Sequence, residues 1–258
     1  MQFTEAQISQ WLAGFIWPLL RIGAMLMAAP VFNIRQVPVR FRMLMAVLIT
    51  LLVQPVLPPS PVVSVLSTDA LLIAVQQILV GVALGFLMQM AFQALIFGGQ
   101  VMAYSMGLGF ANMMDPTNGV QVPVVAQFWL ILAMLAFVMM NGHLVLISAI
   151  VDTFTVIPVA TDGLSRSGIW ELLSWGSRMF AAGVLMAMPV IVALLLINIG
   201  MGVVSRAAPQ LNIFAIGFPI TLMMGFLLIW VTLPQVMTNF GSLVTEAFER
   251  SATVLSTR

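Results

Sequence analysis

The 258 residues are 62% apolar and 7% charged, with a formal net charge of +1. Soluble domains hold roughly 45–50% and 25%, so this chain lacks the polar side chains to cover a water-facing surface. It has no cysteine, and all of its basic residues are arginine. That excludes disulfides, thiolate chemistry, a phosphate-loop lysine and a Schiff-base lysine. With no basic patch, a nucleic-acid partner is excluded as well.

The charges lie in clusters. None falls between Asp69 and Asp115, Asp115 and Asp152, Arg178 and Arg206, or Arg206 and Glu246. Each gap exceeds the roughly 20 apolar residues that cross a hydrocarbon core as a helix. The expected fold is an all-α membrane protein of about six apolar, partly broken helices arranged as helical hairpins.

In chain order the apolar runs predict helices over about 10–32, 43–57, 70–98, 124–150, 179–203 and 212–234. The first follows Glu5 rather than a basic leader, so it is expected to be retained rather than cleaved. Arg21 lies in its middle, where a guanidinium in lipid costs about 2.5–3.5 kcal/mol, so it must face a partner or water. The second run ends at Pro55, Pro58, Pro59 and Pro61 and is too short for a full span. The third exceeds a bilayer core in length. It places Gly81, Gly85, Gln89 and Gln93 at steps of four on one face, with Gln100 following. Small residues permit close approach and amides bond across helices. That stripe suits packing within the chain, contact between subunits, or a pore lining. Pro18, Pro189 and Pro219 fall inside the first, fifth and sixth runs, where each removes a donor and favours a kink.

Between the third and fourth runs lies the most unusual stretch, from Gly98 to Asp115-Pro116. Gly98, Gly99, Gly107 and Gly109 weaken a helix there, while Met102, Met106, Leu108, Phe110, Met113 and Met114 keep it apolar. A pliant backbone with large, soft side chains suits a movable hydrophobic plug. A buried turn suits it equally. His143, the only histidine, has no acidic residue beside it to complete a metal site or a triad. A helix-end or interface role is expected, and no catalytic residue, metal or cofactor. The chain is therefore expected not to be an enzyme. Loop arginines do not orient it: Arg35, Arg40, Arg42 and Arg206 on one side balance Arg166, Arg178, Arg250 and Arg258 on the other. A polar stretch over 152–178 marks a soft boundary between a longer part, 1–177, and a hairpin, 178–258.

Several separated blocks together resemble one family. They are Trp17-Pro18-Leu19-Leu20-Arg21 with Ala29-Pro30, Gln76-Gln77-Ile78-Leu79-Val80-Gly81-Val82-Ala83-Leu84-Gly85-Phe86, and Met106-Gly107-Leu108-Gly109-Phe110-Ala111 with Asp115-Pro116. Asn141-Gly142-His143-Leu144, Val151-Asp152-Thr153-Phe154 and Arg206 to Phe214 leading into Gly217-Phe218-Pro219 complete the set. In order and spacing the chain resembles the FliR family, the R subunits of the flagellar type III secretion export gate. The resemblance implies a part like the P subunit, 1–177, including a plug loop at about 98–123, followed by a hairpin like the Q subunit, 178–258. It implies assembly with FliP and FliQ into a closed helical gate, with FlhB and FlhA nearby, in the bacterial inner membrane at the flagellar basal body. The cargo would be unfolded flagellar proteins, and Met106, Gly107, Leu108, Gly109, Phe110, Met113 and Met114 would form the plug. The rival is a small-solute secondary transporter, since Gly- and Pro-broken helices mark those folds too.

Overall fold

The computed structural model describes residues 5–33, 37–63, 67–109, 124–207 and 213–256. Among them are seven α-helices and no strand: α1 (Glu5–Ala28), α2 (Val39–Val53), α3 (Thr68–Ser105), α4 (Val124–Met139), α5 (Gly142–Val156), α6 (Arg166–Ala207) and α7 (Ile213–Ser256). A 3-10 turn at Gln54–Val56 ends α2 at the first proline. Apolar residues on every face explain why helices this hydrophobic persist, since lipid and protein neighbours leave the backbone no partner but itself.

Three helices outrun their predicted ends. α3, α6 and α7 hold 38, 42 and 44 residues, or about 57, 63 and 66 Å at 1.5 Å per residue. Each is about twice the ~30 Å hydrocarbon core. The sixth predicted run stopped at 234, yet α7 continues through Pro234 because its next turns bury Val236, Phe240, Leu243, Val244 and Ala247. The helices also run on through Pro18, Pro189 and Pro219. The fourth predicted run is two helices. Asn141 has a left-handed backbone, φ 57°, and its carbonyl accepts from Leu144 and Val145 to start α5. Asparagine is one of the few residues that enters that region readily.

The chain forms two compact units, and the long helices contribute to both. One comprises Met1–Met90, Val138–Gly176 and Val244–Arg258; the other comprises Ala91–Phe137 and Ser177–Leu243. In the first, Ala13 and Trp17 of α1 pack on Ala70 and Ile73 of α3, with Ile16, Leu20 and Val159 around them. α2 lies along α1 but buries only Ala46 and Thr50. The core of the second centres on Phe92, whose ring meets Phe137 at 5.4 Å and Phe240 at 5.2 Å, both edge-on. Edge-to-face pairs add about 0.5–1.5 kcal/mol each beyond area burial.

Candidate functional site

Arg21 is fully buried in the first unit. Its Nε donates to Gln77 Oε1 of α3 at 2.8 Å, and its Nη1 donates to Thr153 Oγ1 of α5 at 3.0 Å. The Thr153 hydroxyl in turn donates to the Ile150 carbonyl, leaving a lone pair turned to the arginine. The guanidinium carbon lies 4.1 Å from the centre of the Phe154 ring. Among the described residues every partner is neutral, and Nη2 has none. Hydrogen bonds to a charged group contribute about 1.5–3 kcal/mol each and a desolvated cation–π contact about 2 kcal/mol. Together these offset the cost of holding the charge out of water. Three helices are thereby tied at one side chain.

Gly81 and Gly85 close the same junction. A Cβ on Gly81 would collide with the carbonyl oxygen of Arg21 itself, and one on Gly85 would lie 2.6 Å from Ala28 Cβ and 2.9 Å from the Ala29 nitrogen. These two glycines therefore pack inside the chain, against α1. Gln89 and Gln93, the next two steps of the stripe, are half-buried and make no hydrogen bond among the described residues. Gln77 is the residue the sequence reading left out. It stands one step of four before Gly81, so extending the stripe backward by a turn finds it.

In the second unit the glycines that were expected to weaken α3 are its contact points. A Cβ on Gly98 would come within 2.7 Å of the Gly183 oxygen of α6, and one on Gly99 within 2.6 Å of the Trp129 ring of α4. Successive residues face 100° apart, so the pair admits two neighbours at once. The helix stops later, at a Schellman turn. Gly107 has φ 84°; its N–H reaches the Tyr104 carbonyl at 3.0 Å, and the Leu108 N–H reaches the Ala103 carbonyl at 3.1 Å. Met106, fully buried, fills the space over Gly225 of α7, where a Cβ would meet its Cγ at 2.5 Å. Gly107 faces the ring of Phe218, and Leu108 and Gly109 are half-buried. Phe110, Met113 and Met114 lie outside the described residues. His143 begins α5, and its Nδ1 is buried without a partner among the described residues. No group of three metal-ligating side chains occurs among them.

Residues 12–247 match the family model described as bacterial export proteins, family 1. The chain is 41% identical over 256 residues to the flagellar biosynthetic protein FliR of Escherichia coli K12, covering 99% of this chain and 98% of that one. The chain belongs to the FliR family of bacterial export proteins. Another FliR, from Pectobacterium carotovorum, is 40% identical with the same coverage, and that of Bacillus subtilis is 28% identical over 84% of this chain and 85% of its own. As a FliR-family protein the chain is a membrane-embedded component of the flagellar protein-export apparatus. Three of the blocks that carried the resemblance meet at Arg21: its own, the one holding Gln77, Gly81 and Gly85, and the one holding Thr153 and Phe154.

Proposed function

We propose that the chain forms part of the pore wall of the flagellar export gate and carries the segment that plugs it. It joins FliP and FliQ in the bacterial inner membrane at the basal body, beside FlhB and FlhA, and passes unfolded flagellar proteins without enzymatic chemistry or a cofactor. Residues 1–177 act as the P-like part and 178–258 as the Q-like hairpin. The observation that carries the plug reading is the end of α3. A rigid helix stops at one left-handed glycine, with Met106 set against Gly225, directly before the apolar run to Met114. In the closed gate Met106, Leu108, Phe110, Met113 and Met114 exclude water and ions, and Gly107 and Gly109 let the segment swing when cargo arrives. Gln89 and Gln93 turn their unpaired amides to neighbouring subunits. Arg21, Gly81 and Gly85 hold the helices that present them.

Deleting residues 107–112, or replacing Phe110, Met113 and Met114 by Ala, tests this in cells lacking the native copy. The gate should still assemble, and the inner membrane should leak ions, read as loss of a potential-sensitive dye signal. Failed assembly on deletion, together with a tight membrane in the Ala variant, would make the segment a structural turn instead. The transporter reading predicts a polar substrate site at mid-depth. The mid-helix charge nearest to that description, Arg21, is closed off by its own chain.

A further inference from the structure

A groove of about 520 Å³ runs between α5 and the last turns of α7 in the first unit. Its walls carry Ser148, Ala149, Ser251 and Ala252, small residues that let a third helix approach closely. Asp152 stands in the same groove. It is exposed, whereas Thr153 and Phe154 beside it are buried against Arg21. Its carboxylate has no hydrogen bond or ion pair among the described residues. Arg250, at the edge of this part of α7, is already paired with Glu171 at 2.9 Å. Asp152 is the one charged residue among those that line the groove. The carboxylate lies about one turn from the C-terminus of α5, whose free carbonyls disfavour it. A carboxylate without a counter-charge beside an apolar groove gives a partner cation a place to pair.

We propose that this groove receives an apolar helix of another export-apparatus protein, whose arginine or lysine pairs with Asp152. The charge decides against a lipid chain, which would fit the apolar walls but offer the carboxylate no counter-charge. The inference rests on the gate reading and names the chemistry of one of its contacts.

A photo-reactive phenylalanine analogue at Ser148, in the otherwise unchanged full-length chain in flagellated cells, tests it. The expected result is a protein adduct whose cross-linked peptide is an apolar helix with arginine or lysine within one turn of the attachment. Its yield should fall at least fivefold in Asp152→Asn. In Asp152→Arg, secretion of flagellar proteins should fall at least tenfold and return when that partner cation is changed to Glu. An adduct with lipid alone, an adduct with the chain's own Arg258 tail, or no adduct at all would overturn the proposal. So would Asp152→Arg secreting normally. If the unmodified chain fails to restore secretion, the gate reading falls and takes this one with it. Normal secretion with a lipid-only adduct removes this inference alone.

Discussion

At Arg21 the chain closes three helices around a charge; at the end of α3 it rests a methionine over a glycine. The first junction is directional. Two hydrogen bonds and a ring face aim the guanidinium, and two glycines without room for a Cβ seat the backbone of α1 on α3. The second is held by an unbranched thioether in van der Waals contact and by one residue of positive φ. Thioether contacts repack at small cost, whereas a buried hydrogen-bonded charge does not. Within the gate reading that difference divides the labour: the Arg21 junction is the frame, and the terminus of α3 is where motion is affordable.

The two junctions should therefore fail differently. Arg21→Ala is the most damaging change expected. It leaves Gln77 and Thr153 without their donor and opens a cavity, for roughly 3–5 kcal/mol. The chain should be degraded in membranes, or melt far lower in detergent, rather than merely export poorly. A variant that accumulates and melts like the parent would show that the junction holds nothing. Gly85→Val is next. Its Cβ meets Ala28 Cβ and the backbone of Ala29, which no rotamer change relieves, so about 1–3 kcal/mol should be lost. A melting curve reads this directly, and an unchanged midpoint would mean that α1 and α3 separate more easily than their packing implies. Gly107→Val should cost the fold about 1–2 kcal/mol for a β-branched residue in the left-handed region. Its signature is functional. Secretion should fall while the membrane stays tight and the chain stays abundant; a leaking membrane would contradict a stiffened, closed plug.

Much of this frame was legible in residue order, because steps of four along α3 put the glycines on one face and the charge gaps marked the spans. The stripe's partner was not legible: spacing shows that Gly81 and Gly85 share a face, but not that α1 lies on it. Gly98 and Gly99 were misjudged for a related reason. Helix propensity counts what a glycine costs alone, and here the backbones of α6 and the ring of Trp129 occupy the space that it leaves. The far half of α7 was missed because its polar residues interrupt the apolar run. On a helix those residues take the outer face, as Glu249 and Arg250 do, while Phe240 and Val244 stay inside. Of the plug, the turn at Gly107 can be traced to its sequence, since a glycine just past a helix is the usual left-handed stop.

The contrast between frame and plug is tested most directly by two disulfides, and the chain's lack of native cysteine makes the background clean. One pair, Gly23→Cys with Ala46→Cys, links α1 to α2 two residues from Arg21, where the Cβ positions would lie 3.8 Å apart, the usual separation across a disulfide. The other, Met106→Cys with Gly225→Cys, fastens the end of α3 to α7. Secretion of flagellar proteins is then measured before and after oxidation, and again after reduction. The account predicts that oxidising the first pair leaves secretion unchanged, while oxidising the second stops it until reductant is added. Secretion that continues with Met106 locked to Gly225 would show that the end of α3 does not move for export, and the plug assignment would fail.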